Sequence, residues 1–248
     1  MRRFAVVLVE PAIQGNIGAV ARAMMNFGVY DLRIVGDVPI LEEAKQRAVH
    51  AQEILKSVRF FRDISDATSD LNLRVATTGI VQANEKRHLR SYLRLDEFSP
   101  KAFSFSGRIG LIFGRENYGL YNSELQICDI VVTIPTSPEY PIMNLSHAVS
   151  TVLYNLYLER ENTGTAGRGN APEGRNMRKV PSPQDMDRFI ERVRLILERS
   201  GYPEHKRENT IIMIRRIVSR AFITAYEYNR LMGVLSRIEG AMRKREKK

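Results

Sequence analysis

Strand-like and helix-like stretches alternate along the first 160 residues, and this alternation constrains the fold more than any other feature of the sequence. The strand-like stretches are mostly continuous apolar runs rich in valine, isoleucine and leucine, which is typical of strands buried on both faces. They lie at 4–10, 31–36, 73–79, 108–114 and 129–135, and helical patterns lie at 16–29, 41–56, 117–127 and 144–160. The sequence therefore predicts an α/β fold with a mainly parallel sheet and helices on both faces.

The last third of the chain has a different character. Residues 161–180 contain four glycines and a proline without apolar periodicity, which predicts a flexible linker. Helical patterns follow at 183–199, 208–225 and 227–246. We therefore expect three parts: residues 1–160, here called the body, the linker of residues 161–180, and a small all-α unit of residues 181–248, here called the C-terminal extension.

The positive charge of the chain is concentrated at its C-terminal end. The net charge is +10, yet the first 160 residues carry 18 Lys/Arg against 17 Asp/Glu, whereas residues 161–248 carry 20 against 11. This asymmetry predicts a surface that binds a polyanion such as nucleic acid, and a solvated basic helix face without a partner is the alternative. In the last helical pattern we expect a packing face of Leu231, Leu235, Ile238 and Met242, with Arg230, Arg237 and Lys244 on another face.

Composition excludes several classes of protein. The single cysteine, Cys128, rules out an intramolecular disulfide framework and a cysteine-rich zinc cluster, and it favours a reducing, cytoplasmic setting. No apolar run approaches the roughly 18–20 residues that cross a bilayer. The N-terminal run "FAVVLVE" ends at Glu10 and Pro11, so we interpret it as a first strand rather than a signal peptide. No metal-ligand pattern is present, and no metal is expected.

Small residues dominate the segment after the first strand, "EPAIQGNIGAVARA". Gly15 and Gly18 allow close backbone approach to a neighbour or a ligand. A dinucleotide-binding turn is one interpretation, but Ile13 stands where its first glycine would be. The two polar residues each have an ordinary alternative: Asn16 as a helix N-cap, and Arg22 as a surface arginine.

Two further loops begin where hydrophobic strands end, "FGRENYGL" and "IPTSPEYPIMNLSHA". In open α/β sheets, ligands bind beyond the carboxyl ends of the strands. Gly114 permits close approach to a planar ligand, and Asn144 stands at a helix start. The ordinary alternatives are a first-turn acid for Glu116 and an N-cap for Asn144.

Three stretches in this order, "EPAIQGNIGAVARAM", "LIFGRENYGL" and "IPTSPEYPIMNLSHAV", strongly resemble the three motifs of the SPOUT RNA 2′-O-ribose methyltransferases. The resemblance covers the body. Within it, "NSEL" and "SPEY" resemble the TrmJ branch, whose members modify the first nucleotide of the tRNA anticodon loop. Three ordered motifs are a more specific signal than any one of them.

The resemblance implies a sheet whose C-terminal part forms a deep trefoil knot, an S-adenosylmethionine cofactor, and a homodimer whose active sites draw on both chains. It implies a cofactor pocket formed by Thr78, Gly79, Ile80, Gly114, Ile134, Ile142 and Met143. It also implies that Arg22 lies nearest the chemistry, that Asn16, Glu116 and Asn144 shape the site, and that the Arg115–Glu116 pair faces the partner chain. Ile142 departs from the serine common at its position, so no side-chain hydroxyl is expected there.

The function expected from these features is S-adenosylmethionine-dependent 2′-O-methylation of tRNA, on cytidine or uridine of the anticodon loop. A non-catalytic RNA-binding protein on the same scaffold and a nucleotide-dependent oxidoreductase are the alternatives. The 2′-hydroxyl must lose a proton during methyl transfer. Arg22 could orient the hydroxyl and stabilise a developing alkoxide, and the identity of the proton acceptor stays open.

Overall fold

The computed structural model describes residues 1–79, 92–163 and 180–246, and its body is built on one seven-stranded sheet. The strands are β1 (Phe4–Val9), β2 (Asp31–Val35), β3 (Arg59–Phe61), β4 (Leu73–Thr78), β5 (Tyr92–Arg94), β6 (Ile109–Phe113) and β7 (Ile130–Thr133). Their order is β3-β2-β1-β6-β4-β7-β5, and every neighbouring pair is parallel. The predicted α/β class with a parallel sheet is confirmed.

Ten helices are present in the described ranges. They are α1 (Gln14–Asn26), α2 (Glu42–Ala48), α3 (Gln52–Lys56), α4 (Ile64–Ala67), α5 (Leu95–Ser104), α6 (Asn122–Ile127), α7 (Leu145–Asn162), α8 (Pro183–Arg199), α9 (Glu204–Arg220) and α10 (Ala225–Glu246). None of these helices is long and apolar enough to cross a membrane. Ile80 and most of the predicted linker lie outside the described residues, so the implied knot and the three-part division of the chain stay predictions.

Alternate residues of the central strand β1 point to opposite faces of the sheet and into two separate cores. Phe4, Val6 and Leu8 pack in one cluster with residues of α1 and α7, whereas Val7 and Val9 pack in a second cluster with residues of α4 and α6. All six strand residues are buried. Helices therefore cover both faces, as the continuous apolar run predicts.

The sequence patterns missed the two edges of the sheet. The edge strands β3 and β5 have three residues each, too few to show a period. The predicted helix 41–56 is also wrong as a single element, because α2 ends at Ala48 and Val49 adopts a positive φ of 52° before a 3₁₀ turn and α3. The apolar period continues through this break, so periodicity alone could not detect it.

The small residues of α1 serve its packing against α2. A Cβ atom on Gly18 would lie 2.1 Å from the carbonyl oxygen of Ala44, and one on Gly15 would lie 2.8 Å from Oε1 of Glu43. Both distances are shorter than van der Waals contact. Of the two roles considered for these glycines, the structure supports close approach to a neighbouring helix.

A buried arginine holds the amino ends of β2 and β6 to the loop after α4. The Arg33 side chain is fully buried; its Nη2 lies 2.7 Å from Asp31 Oδ2 and 2.9 Å from Asp70 Oδ2. Arg108 also binds both carboxylates at 2.7 Å. A buried charge is tolerated only when it is paired and hydrogen-bonded, and Arg33 meets this condition.

This ion network predicts a loss of stability in acid. The hydrogen bond from Arg33 is the main cause that lowers the pKa of Asp70 from 3.8 to about 2. Between these values the unfolded chain binds the proton more readily than the folded chain, so the free energy of unfolding falls as the pH drops from about 4 to about 2. Asp70→Asn removes this titration, and its unfolding free energy should fall less steeply over that range in urea melts. An equal slope for both proteins would contradict the assignment.

The C-terminal extension docks on the amino edge of the sheet through a second ion network. Arg74 Nη2 lies 3.1 Å from Asp187 Oδ2, and Arg215 Nη2 lies 2.8 Å from Asp187 Oδ1. Arg215 also donates to the buried Asp129 at 3.2 Å. Arg74 and Asp129 belong to the starts of β4 and β7, and Asp187 and Arg215 belong to α8 and α9. The extension therefore packs against the body of its own chain.

The expected packing face of α10 is only partly right. Tyr228, Met232 and Leu235 pack with α8 and α9, whereas Leu231 and Ile238 remain 36% and 39% exposed. Two apolar stripes at helical spacing share Leu235, and the sequence offers no way to choose between them.

Candidate functional site

A pocket that is partly open to solvent lies at the carboxyl ends of β4, β6 and β7. Three loops form it, and they follow Thr78, Phe113 and Thr133. Its lining combines apolar side chains with a few polar groups, as is typical of small-molecule sites. Ligands of open α/β sheets bind at this edge.

Six of the seven residues expected to hold a cofactor line this pocket: Thr78, Gly79, Gly114, Ile134, Ile142 and Met143. Ile80 lies outside the described residues. The sequence reasoning missed Thr77, Tyr118, Leu120, Leu125, Thr136, Pro141 and other lining residues. Most of these flank the quoted loops, and position within the loops was the signal that could have identified them. No group of three or more His, Cys, Asp or Glu side chains that could hold a metal ion occurs in the described parts of the chain.

Gly114 is required for the closure of its own loop. A Cβ atom at this position would lie 2.1 Å from the carbonyl carbon of Gly119. Arg115 and Gly119 exchange two backbone hydrogen bonds, at 2.8 and 3.1 Å, and Gly119 has a positive φ of 64°. The loop thus folds back on itself against Gly114, which gives a physical reason for the glycine besides close approach to a ligand.

Gly114→Ala should therefore destabilise the protein. The added methyl group clashes with backbone atoms that cannot rotate away, and overpacking of this kind costs about 1–3 kcal/mol. Thermal unfolding should report a lower midpoint. Gly233→Ala in α10 is the matched control, since nothing lies within 4 Å of its Cβ position and alanine favours a helix. Equal midpoints for Gly114→Ala and wild type would refute this role.

A relay of hydrogen bonds joins the starts of α1 and α7 next to the pocket. The Glu116 carboxylate accepts hydrogen bonds from the backbone N–H groups of Ala12 and Ile13, at 3.0 and 3.1 Å, and from Asn16 Nδ2 at 2.9 Å. Asn16 Oδ1 accepts a hydrogen bond from Asn144 Nδ2 at 3.0 Å. Three of the four residues expected to form the catalytic site therefore lie in one connected network.

The network decides between the alternative roles of these residues. Asn16 lies inside α1 and does not cap it. Glu116 lies outside α6 and instead binds N–H groups at the start of α1. Asn144 does cap α7, since its Oδ1 accepts hydrogen bonds from Ser146 N and Oγ, and its amide nitrogen also reaches Asn16.

Electrostatics keep Glu116 ionised. Burial by itself raises the pKa of a carboxyl group, but the hydrogen bonds from Asn16 and from backbone N–H groups including those of Ala12 and Ile13 outweigh it and hold the Glu116 pKa below its usual value. A permanent negative charge at the start of α1 also matches the helix dipole. The Glu116 carboxylate therefore stays charged and holds the start of α1 through these hydrogen bonds.

Arg22 lies apart from this pocket. It is exposed on α1, two turns after Asn16, and it is not among the lining residues of the pocket in its own chain. The structure thus brings Asn16, Glu116 and Asn144 together but leaves Arg22 pointing outward. In a single chain, Arg22 has the environment of a surface arginine.

Arg115 is bound within its own chain. It forms ion pairs with Glu10 at 2.9 Å and with Glu124 at 3.0 Å, and its guanidinium carbon lies 4.2 Å from the ring centroid of Tyr121. Only 12% of the Arg115 side chain is exposed. The expectation that the Arg115–Glu116 pair faces a partner chain stays a prediction.

The parallel sheet, the three loops at its carboxyl edge and the order of the motifs define an RNA methyltransferase of the SPOUT class. Residues 3–154 match the SpoU rRNA methylase family, and the chain belongs to this family. The match includes all three loops and the whole relay.

Individual relatives are similar to this chain over nearly its whole length. The chain is 41% identical over 229 residues to the tRNA (cytidine-2′-O-)-methyltransferase TrmJ of Methanocaldococcus jannaschii, covering 92% of this chain and 96% of the relative. It is 30% identical to the tRNA (cytidine/uridine-2′-O-)-methyltransferase TrmJ of Yersinia pestis, with 94% and 90% covered. The crystal structure of TrmJ from Z. mobilis ZM4 superposes with a TM-score of 0.71 at 26% identity, over 95% of this chain and 98% of that one. The similarity therefore extends through the C-terminal extension.

Proposed function

We propose that this protein is an S-adenosylmethionine-dependent tRNA ribose 2′-O-methyltransferase that modifies the first nucleotide of the anticodon loop. The observation that carries the proposal is the pocket at the carboxyl edge of the sheet, formed by the loops after β4, β6 and β7 and joined to α1 and α7 by the Glu116 relay. The similarity to TrmJ proteins along nearly the whole chain supports tRNA as the substrate. Because tRNA is its substrate, the enzyme would act in the cytoplasm.

The chemistry of the pocket lining suits the cofactor. Apolar side chains such as Ile134, Ile142 and Leu145 suit a nucleoside ring, and Thr78 and Thr136 provide hydroxyl groups. We assign cofactor binding to Thr78, Gly79, Ile80, Gly114, Ile134, Ile142 and Met143. When bound, S-adenosylmethionine supplies an activated methyl group on a sulfonium. The exposed side chain of Ile142 offers no hydroxyl, so contacts at this position would come from the backbone.

The residues of this chain position the ribose. Arginine stays protonated in proteins, so Arg22 would donate hydrogen bonds to a phosphate or to the 2′-oxygen as that oxygen loses its proton. The Glu116–Asn16–Asn144 relay would fix the helix that carries Arg22 relative to the cofactor loops. Positioning of this kind contributes much of the rate when the electrophile is already activated. The proton acceptor remains unassigned.

We also propose a homodimer, in which Arg22 of one chain serves the pocket of its partner. Arg22 is exposed and distant from the lining of its own pocket, which agrees with this arrangement. The neighbouring helix α7 exposes Tyr154 and Leu158, at 51% and 39%, as apolar surface available to a second chain.

Sedimentation at micromolar concentration should therefore give about twice 28.4 kDa, the mass of one chain. Tyr154→Arg should shift the protein toward the monomer and reduce methyl transfer, because it puts a charge into the proposed contact. Tyr30→Arg, at another exposed tyrosine, is the comparison variant. A monomeric and fully active wild-type protein would contradict the dimer.

Calorimetry tests the cofactor assignment. S-adenosylmethionine should bind with a stoichiometry of about one per chain, whereas NAD⁺ should not bind at the same concentrations. Binding of NAD⁺ in preference to S-adenosylmethionine would instead favour an oxidoreductase. S-adenosylmethionine binding without methylation of tRNA would favour an RNA-binding protein that retains the cofactor pocket.

A further inference from the structure

Arg115 lies in the lining of the pocket, yet its side chain is occupied by groups of its own chain. Nε donates a hydrogen bond to Glu10 Oε2 at 2.9 Å, and Nη1 and Nη2 donate to the two carboxylate oxygens of Glu124 at 3.1 and 3.0 Å. Nη1 also donates to the carbonyl oxygen of Gly119 at 3.4 Å. An arginine has five N–H donors, and these bonds use most of them. Arg115 can therefore act on a ligand mainly through the groups that it holds.

The groups held by Arg115 belong to three segments of the chain that converge on its side chain. Glu10 follows β1 and leads into α1, Gly119 closes the loop after β6, and Glu124 belongs to α6. Tyr121 stacks under the guanidinium, and Glu124 accepts a hydrogen bond from the Tyr121 N–H at 2.6 Å. One side chain thus fixes both ends of the 114–121 loop.

The backbone at Glu10 is strained, which gives an independent reason for a restraint there. Its φ is +44°, a backbone angle that residues other than glycine rarely adopt. Such strain persists only where the surrounding structure holds it, and it is common next to functional sites. The ion pair with Arg115 is a restraint of this kind.

We propose that Arg115 is a positioning residue for the cofactor: it holds the 114–121 loop in the shape that binds S-adenosylmethionine and joins this loop to the entry of α1. The inference rests on the proposed function. Glu116, the next residue, binds Ala12 and Ile13 beyond Glu10. Two adjacent residues of one loop therefore fasten the helix that carries Arg22.

The proposal differs from a purely stabilising role in what it predicts for the two substrates. Loss of Arg115 should weaken S-adenosylmethionine binding while tRNA affinity stays unchanged, because we expect the basic C-terminal extension, and not the 114–121 loop, to supply most of the contacts with tRNA. If the ion pairs of Arg115 only stabilised the fold, their loss would lower the apparent affinities for S-adenosylmethionine and for tRNA alike, in proportion to the folded fraction. Arg115→Lys should be intermediate, since an ammonium can pair with one carboxylate but cannot bridge Glu10 and Glu124 or stack as a plane.

The test is calorimetry with S-adenosylmethionine on the full chain, together with tRNA binding and thermal unfolding. Arg115→Ala should weaken S-adenosylmethionine binding at least tenfold (about 1.4 kcal/mol), with tRNA affinity within twofold of wild type. Arg59→Ala is the matched control: Arg59 also pairs with a carboxylate, Asp31 at 2.8 Å, and stacks on Phe61, but at the amino end of an edge strand. It should leave S-adenosylmethionine binding unchanged.

S-adenosylmethionine binding by Arg115→Ala within twofold of wild type would overturn the proposal, and so would equal losses in Arg115→Ala and Arg59→Ala. Glu124→Gln, which keeps the shape and removes the charge of the principal partner, carries the same test if Arg115→Ala does not fold; it should weaken S-adenosylmethionine binding, and unchanged binding overturns the proposal. If the wild-type protein binds no S-adenosylmethionine, the proposed function itself is wrong. If wild type and variant bind S-adenosylmethionine equally well, only the role of Arg115 is wrong.

Discussion

Arg22→Ala should reduce methyl transfer at least a hundredfold while leaving S-adenosylmethionine affinity within twofold of wild type. The loss of one donor that stabilises developing charge costs about 10²–10³ in turnover. Arg22 is exposed on α1, whereas the pocket is formed by loops after β4, β6 and β7, so the substitution should not disturb the cofactor. Single-turnover methylation of tRNA and calorimetry measure the two quantities separately.

Two variants control this experiment. Arg22→Lys keeps the charge but loses the planar fork of donors, so it should retain partial activity. Arg62→Ala removes another exposed arginine, whose side chain is 93% exposed, and should remain fully active. Undiminished turnover by Arg22→Ala would remove Arg22 from the mechanism.

Replacing the exposed arginines of α10 together, Arg230, Arg237 and Arg243 to Gln, should weaken tRNA binding at least tenfold. The body is nearly neutral, so the electrostatic attraction for tRNA must come largely from the C-terminal extension. Each lost phosphate contact also reduces the slope of log affinity against log salt by about 0.7–0.9. The triple variant should therefore bind tRNA with a slope that is shallower by about two to three.

Asp187→Asn is the matched comparison for the triple variant, because it disrupts the ion network that holds the C-terminal extension on the body. Asp187→Asn removes a carboxylate that binds Arg74 and Arg215 but leaves the α10 arginines in place. It should lower the thermal midpoint with little change in the salt slope. If the triple variant kept the wild-type slope, these arginines of α10 would be solvated side chains without a role in tRNA binding.

The sequence predicted the parts of the fold that carry strong local signals. β1, β6 and the helix after Asn144 follow from continuous apolar runs and from an apolar period at helical spacing. The loops of the second and third motifs follow predicted strands, so the sequence predicts that they lie at the carboxyl edge of the sheet; the first motif joins them only through the family resemblance. Every residue expected to bind the cofactor that lies in the described ranges lines the pocket, and its role in binding stays a prediction.

Long-range polar contacts could not be predicted in the same way. Arg33, Arg74 and Arg115 are buried or nearly so. Each binds a carboxylate that is distant in the sequence: Asp70, Asp187 and Glu10, respectively. Sequence spacing contains no information about pairs that only the packing of several loops brings together.

The relay around Glu116 illustrates the same limit. The ordinary alternatives were a helix cap for Asn16 and Asn144 and a first-turn acid for Glu116, and only Asn144 has the role of its alternative. The contact of Glu116 with the start of α1 spans more than one hundred residues of sequence. Local rules predict which helix a residue could cap, and tertiary packing decides which helix it does cap.

Mass spectrometry of tRNA shows whether the protein methylates the 2′-hydroxyl of the first nucleotide of the anticodon loop. Unmodified tRNA would be incubated with the protein and S-adenosylmethionine, digested and mapped, with Arg22→Ala treated in parallel. We expect one added methyl group on the ribose of the first anticodon-loop nucleotide, present with wild type and absent with Arg22→Ala. A methyl group on a base, a ribose methyl at another nucleotide, or no methylation of any tRNA by the folded, cofactor-binding protein would contradict the proposed function.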